Sequence, residues 1–226
     1  AFESDTKIAP EEVNSLRLIP DFTDITATWS VVKDEDKTAT FYRLYISQDE
    51  LTTENIKNMT YKEVNAVGHK LGETLHFTFD NLRDDQSYNI AIVAVDRWGN
   101  CSQPIIQHCK TKLNHAPEVT DFPETILDVP TDGKETFNFK VADPDGQEWS
   151  MKTNGETKGV SYSLNHGIVT VNIVPVLAPG SYTCSFIFTD DLGAVTVKTL
   201  TFRILKYVPP TLETPFENYI IGLDEG

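Results

Sequence analysis

Short runs in which apolar and polar residues alternate, separated by polar turns, occupy most of this 226-residue sequence. A period of two places one face of a strand against a core and the other in solvent. The runs cover residues 13–18, 24–32, 40–47, 73–80, 88–96, 104–112, 135–141, 147–152, 159–164, 168–174, 180–189 and 194–205. The pattern predicts an all-β fold of two tandem antiparallel β-sandwiches with a C-terminal extended tail.

The length suits two domains of about 100 residues each, and each is large enough to bury its own core. The polar segment Asn114-His-Ala-Pro117 interrupts the alternation, and its proline favours extended backbone just before it. We therefore predict a first domain over residues 1–113 and a second over residues 114–208.

The end of the sequence resembles the start of the second domain. Residues 209–226 align without gaps with residues 116–133, and the prolines Pro117 and Pro210 coincide. The alignment predicts a linker followed by the first strand of a further, truncated repeat. Chance similarity between two proline-containing linkers is the alternative.

One segment of the first domain breaks the two-residue period. Ser47 is followed three positions later by Glu50, and Leu51 and Ile56 lie near helical spacing. A serine cap followed at this distance by a glutamate is typical of a helix start. The segment predicts a short helix between strands C and C′.

Three positions of the first domain carry a family resemblance. Trp29 lies in the second run, and Leu82 precedes Tyr88 by six residues. This arrangement resembles a fibronectin type III domain over residues 8–113. The resemblance implies that Trp29 fills the space between the sheets, while Leu82 and Tyr88 hold the E–F crossover and the tyrosine hydroxyl bonds to backbone.

Turn sequences mark the second domain. Ala142-Asp-Pro-Asp-Gly146, the Gly180-Ser-Tyr182 strand and Asp190-Asp-Leu-Gly193 resemble the cadherin-like or bacterial Ig-like repeats of surface and secreted proteins, over about residues 116–206. In this arrangement Trp149 is expected to be the core residue of strand C, comparable in role to Trp29.

The cysteines predict no disulfide and no zinc site. Their number is odd, and Cys101 and Cys109 bracket a strand that would hold them about 26 Å apart. Cys184 alternates with apolar residues and is expected in the core. None of the three has the Cys-x2-Cys spacing of a zinc ligand pair.

Charge and motifs exclude several function classes. The net charge of −15 argues against sequence-independent nucleic-acid binding, and no apolar stretch is long enough to span a membrane. The sequence contains no nucleophile elbow, zinc-protease motif or phosphate loop. We therefore expect no catalysis and no obligatory cofactor.

Calcium is the one cofactor that the sequence suggests. In tandem sandwiches of this type, the E–F loop of the first domain and the B–C and F–G loops of the second should converge on the junction. Carboxylate oxygens at such a seam are suitable calcium ligands. The alternative is that these residues are only good turn formers facing water. The candidate ligands are Asp84, Asp85, Asp143, Asp145, Asp190 and Asp191.

The leading functional hypothesis is a non-catalytic accessory or spacer region of a larger secreted or surface-attached bacterial protein. The inserted segment and the hairpin Asp96-Arg-Trp98-Gly-Asn resemble the type III modules that follow the catalytic domain in some subtilisin-like proteases. That resemblance implies a linked N-terminal catalytic domain, further C-terminal repeats and an extracellular, cell-surface or periplasmic location. The alternative is an adhesion or carbohydrate-binding module pair, with Trp98 as the ligand contact unless it packs on its own domain.

Overall fold

The computed structural model describes residues 8–35 and 37–207. Apart from one turn of 3-10 helix, every regular element there is a β-strand. Contacts within the chain divide it into two compact units, Ala1–Asn114 (unit 1) and His115–Gly226 (unit 2). The predicted all-β fold of two tandem β-sandwiches is confirmed. The predicted extended tail and further repeat, residues 209–226, lie outside the described residues.

Unit 1 is built from two antiparallel sheets. Its strands are β1 (Arg17–Pro20), β2 (Ile25–Ser30), β3 (Lys33–Asp34), β4 (Lys37–Thr38), β5 (Phe41–Ser47), β6 (Lys62–Asn65), β7 (Thr74–Phe79), β8 (Ser87–Val95) and β9 (Ile105–Lys110). One sheet has the order β1-β2-β7 and the other the order β6-β5-β8-β9, while β3 and β4 form a small separate hairpin. In sandwich lettering these sheets are A-B-E and C′-C-F-G.

The core between these sheets is centred on Trp29. Alternate residues of β2 point inward, and Trp29 is only 1% exposed. Its ring lies 5.4 Å from the ring of Tyr42, centroid to centroid. The buried Tyr42 hydroxyl accepts a hydrogen bond from the Val32 backbone N–H at 2.8 Å, so the B–C loop is fastened to the core.

The crossover from strand E to strand F is held by Tyr88. Its buried ring packs in the core, and its hydroxyl accepts a hydrogen bond from the Arg83 backbone N–H at 3.1 Å. Leu82, which precedes this turn, packs against the same core and is half-buried. Leu82 and Tyr88 therefore hold the turn that connects β7 of one sheet with β8 of the other.

Unit 2 has two four-stranded sheets. Its strands are β10 (Glu118–Thr120), β11 (Leu127–Val129), β12 (Glu135–Ala142), β13 (Trp149–Gly155), β14 (Val160–Asn165), β15 (Ile168–Ile173), β16 (Gly180–Asp190) and β17 (Val195–Ile204). The orders are β10-β12-β15-β14 and β11-β17-β16-β13. They correspond to A-B-E-D and A′-G-F-C of an Ig-like sandwich. Every pairing is antiparallel except that of β11 with β17.

Phenylalanines fill the core of unit 2, and Trp149 does not have the central place expected of it. Phe139, Phe186, Phe188 and Phe202 are each almost fully buried. Trp149 is the first residue of β13 and is half-buried, with its ring 5.9 Å from that of Phe188. Because β13 begins at the margin of the core, its first side chain covers the core instead of filling it.

The prediction of a helix that starts at Ser47 is wrong. The Ser47 hydroxyl accepts a hydrogen bond from the Asp49 N–H at 2.9 Å, and only Asn55–Asn58 form a 3-10 turn. Leu51 and Ile56 are both buried, in a cluster that includes Val93 of β8. The segment therefore lies along the outer face of the C′-C-F-G sheet, where this apolar contact prevails over local helix signals.

Tyr88→Phe is expected to lower the free energy of unfolding of unit 1 by about 1 kcal/mol, since it removes one backbone-to-hydroxyl hydrogen bond without changing the ring. Urea unfolding measures the effect. Tyr61→Phe is the matched control, because Tyr61 is exposed and its hydroxyl has no hydrogen bond among the described residues. Equal stability of the two variants would contradict a tyrosine corner at Tyr88.

Candidate functional site

Three loops of unit 1 form one end of its sandwich. They are the B–C loop with the β3–β4 hairpin, the loop between β6 and β7, and the F–G loop after β8. The Ala66 N–H donates to the Thr40 carbonyl, and the Thr40 N–H donates to the Val95 carbonyl, both at 2.8 Å. Side chains from all three loops enclose an open pocket of about 510 Å³, the loop-end pocket, which includes Lys37, Val67, His69 and Arg97.

Basic groups line the loop-end pocket, although the whole chain carries a net charge of −15. The ring Nδ1 of His69 lies 2.7 Å from Glu73 Oε1. Hydrogen bonds from the Lys70 backbone N–H and from His69 lower the pKa of the Glu73 carboxyl. Lys37 and Arg97 add two basic side chains to the same lining, and each has an interaction partner of its own.

Trp98 projects from the F–G loop next to this pocket. Its side chain is 49% exposed, and the Arg97 guanidinium lies 5.1 Å from its ring centroid. The Trp98 backbone N–H donates to Asp96 Oδ1 at 2.8 Å, which fixes the start of the turn. Trp98 thus presents part of its indole to solvent from a backbone held by this hydrogen bond.

Two further exposed apolar side chains belong to this loop end and were not identified from the sequence. Val67 is 66% exposed and Leu71 is 62% exposed, both in the loop between β6 and β7. Apolar residues in a turn of Gly, His and Lys are the signal that could have singled them out. With Trp98 they give the loop end an apolar character beside its cations.

The same aspartate-based turn occurs three times in the part of the chain that the structure describes. In the F–G loop of unit 1, Asp96 Oδ1 accepts hydrogen bonds from the N–H groups two and four residues later, both at 2.8 Å. Asp190 does the same with Leu192 and Ala194, and Asp143 with Asp145 and Gln147. The glycine at the fourth position of each turn has positive φ, which a glycine adopts without strain. These carboxylates hold turns together.

The remaining calcium candidates also have local contacts. Asp84 Oδ2 accepts the Asn114 N–H at 3.1 Å, and Asp85 forms an ion pair with Lys110. Asp145 Oδ2 accepts the His115 N–H at 2.7 Å, whereas Asp191 is exposed.

In the parts of the chain that the structure describes, no three His, Cys, Asp or Glu side chains are grouped to hold a metal ion. The buried Asp143 Oδ2 has no hydrogen-bond partner within residues 8–35 and 37–207. Calcium binding by the six aspartates stays a prediction.

The three cysteines are free thiols in different environments. Cys101 is exposed, Cys109 is half-buried and Cys184 is buried. Burial raises the pKa of both the Cys109 and the Cys184 thiols. Cys184 lies in the core of unit 2, where it packs as a small apolar residue.

Comparisons with known proteins give structural matches alone. No protein-family model matches the chain. No curated protein sequence matches it either. Across residues 8–35 and 37–207, no helix has the length and apolarity needed to cross a membrane.

The solved structures that match include the following three. The FN1-FN3 domains of chicken CNTN1 are 13% identical, with 87% of this chain and 67% of that chain covered and a TM-score of 0.32. An I-band fragment of titin is 12% identical, and the match covers 87% of this chain and 64% of the titin fragment with a TM-score of 0.37. Chitinase ChiA74 from Bacillus thuringiensis is 14% identical, and the match covers 91% of this chain and 28% of the chitinase with a TM-score of 0.37. Since all three TM-scores are below 0.5, the fold assignment of each unit rests on its own sheet topology.

Asp96→Ala is expected to destabilise unit 1 by about 2 kcal/mol, because it removes the acceptor of two backbone N–H groups and of the Asn100 side chain at 2.6 Å. Asp96→Asn keeps the Oδ1 acceptor and should cost clearly less. Urea unfolding measures both variants. Asp49→Ala is the control, since Asp49 is exposed and its side chain has no hydrogen bond among the described residues. A loss for Asp96→Ala as small as that of the control would contradict the role of the turn.

Calcium titration tests the metal prediction. If the aspartates bind calcium, millimolar Ca²⁺ should give binding heat and raise the melting temperature, because a ligand that binds only the folded state stabilises it. Asp143→Asn should reduce both effects. The absence of heat and of any shift in melting temperature would show that these carboxylates serve the turns alone.

Proposed function

We propose that this chain is a non-catalytic accessory region that spaces or orients a catalytic domain of a larger secreted or surface-attached bacterial protein. The observation that supports it is that both units are sandwiches with filled apolar cores. Close-packed sandwiches are rigid bodies with low compressibility, which is what a spacer requires. The exposed Trp98 of unit 1 lies on a loop, where contacts with other molecules are usually made.

The catalytic domain we propose is a subtilisin-like protease preceding this chain, with further repeats following it, outside the cell, at its surface or in the periplasm. The support is the sequence resemblance of the inserted segment and of the Asp96–Asn100 hairpin to modules of such proteases. Cadherin-like repeats remain our proposal for the finer class of unit 2, on the basis of its Asp-Pro-Asp-Gly and Asp-Asp-Leu-Gly turns.

The parent gene and the purified chain test this function together. A Ser-His-Asp protease domain encoded before Ala1 supports it, and another type of upstream domain, or none, contradicts the protease partner. The purified 226-residue chain should hydrolyse neither peptides nor glycosides. Turnover that increases in proportion to the concentration of purified chain would contradict the accessory role itself.

Adhesion or carbohydrate binding is the second candidate. The observation that favours it is Trp98, which is half exposed beside the loop-end pocket. Tryptophan provides a large flat surface with a polar edge, which is a common contact in binding surfaces. The basic side chains of Lys37 and Arg97 line the same pocket.

A glycan array with the intact chain tests the second candidate. Binding that Trp98→Ala removes and Tyr162→Ala preserves would support it. Tyr162 is a suitable control because it is an aromatic residue of similar exposure on unit 2. Either no bound glycan or equal binding by the Trp98→Ala variant would contradict a glycan site at the loop end.

A further inference from the structure

We propose that a second pocket, on the outer face of the C′-C-F-G sheet of unit 1, binds a small organic carboxylate carried on a ring. This outer-face pocket has a volume of about 340 Å³, within the range of small-molecule sites. Arg43, Tyr45 and Tyr61 contribute polar groups to it, and Ile56, Val93 and Pro104 contribute apolar surface. It is distinct from the loop-end pocket, with which it shares no residue.

The pocket exists because a chain segment covers the sheet. The outward residues of β8, which include Val93, are buried together with Leu51 and Ile56 from the segment between β5 and β6. Ile56 is thereby held above the sheet and forms one wall. Tyr61, just before β6, forms another wall, and its ring meets that of Tyr45 edge-on at 5.8 Å.

Arg43 supplies unused hydrogen-bond donors at this position. Its side chain is 26% exposed. Its Nε donates to Glu63 Oε2 at 3.3 Å, and Nη1 lies 3.8 Å from the Cys101 sulfur. Since a guanidinium has five N–H donors, these contacts leave three without a partner among the described residues. The Arg43 guanidinium also lies 4.6 Å from the Tyr61 ring centroid, in a cation–π contact.

Tyr45 is the second observation that indicates a ligand. The residue is only 6% exposed and lines the pocket, yet its hydroxyl has no hydrogen-bond partner among the described residues. The hydroxyl oxygen itself is not among the fully buried unpaired polar atoms of the described residues, so it is accessible and can pair with a ligand. Burial raises the pKa of the Tyr45 phenol, so the hydroxyl stays protonated and can donate a hydrogen bond.

Together these groups specify the ligand chemistry. A carboxylate accepts hydrogen bonds and pairs with a guanidinium in a planar, two-pronged geometry. No acidic side chain lines the pocket, although the chain has 34 Asp and Glu residues. A ring attached to the carboxylate would rest on Ile56, Val93 and Pro104. The source is either an aromatic acid or a sugar acid, and both share this carboxylate-on-ring chemistry.

Titration of the intact chain with benzoate, glucuronate and benzamide, followed by NMR or calorimetry, tests the proposal. At least one carboxylate should bind in the millimolar range or tighter, and benzamide should bind about tenfold more weakly or not at all. Benzoate binding would indicate an aromatic acid, and glucuronate binding would indicate a sugar acid. Failure of both carboxylates at about 10 mM would overturn the proposal.

Three variants locate the site. Tyr45→Phe removes only the hydroxyl and should weaken binding about tenfold, whereas Arg43→Gln should abolish it over the same range. Arg17→Gln is the matched control, because Arg17 lies on the other sheet and is exposed. Unchanged affinity in both pocket variants, or an equal loss in the control, would overturn the assignment to this pocket.

Discussion

Burial of strand β8 on both faces is the constraint on which the architecture of unit 1 depends. Ile90, Ile92 and Ala94 belong to the core between the two sheets, while Ala91 and Val93 belong to the cluster on the outer face. An antiparallel sheet commonly packs one face on a core and leaves the other, polar face to solvent. The outer residues of β8 are apolar and buried, because another part of the chain covers them.

The segment between β5 and β6 packs on these residues, and its position has two consequences. First, Leu51 and Ile56 become core residues of a second, smaller cluster. Second, covering part of the sheet leaves an enclosed space beside the cover, and this space is the outer-face pocket. Arg43 and Tyr45 alternate outward along β5, which explains why one charged and one aromatic residue meet there.

Much of the fold could be predicted from the sequence, because alternation and turn residues are local signals. The two sandwiches follow from period-two runs, and the role of Tyr88 is what the resemblance to a fibronectin type III domain implies. The segment after Ser47 could not be predicted correctly, since its helical spacing is overridden by contact with β8. The uninterrupted apolar run from Ile90 to Val95 was the available signal that both faces of this strand are buried.

The functional side chains were harder to predict, because acidic turns look alike whether they bind metal or hold backbone. Asp143 and Asp190 were chosen for their carboxylates, and the structure shows each accepting two backbone N–H groups of its own turn. The equivalent Asp96 went unnoticed for the same reason. Trp98 was identified from the sequence, but Lys37, His69 and Arg97 near it come from three separate loops that only the fold brings together.

Ile56→Ala tests the covered outer face most directly. If Ile56 packs into a real second cluster, the variant should lose about 2–4 kcal/mol of unfolding free energy in urea, as large-to-small changes in a core do. Val67→Ala, at an exposed position of the same unit, should change stability by less than about 0.5 kcal/mol. A loss for Ile56→Ala as small as that of Val67→Ala would contradict the account.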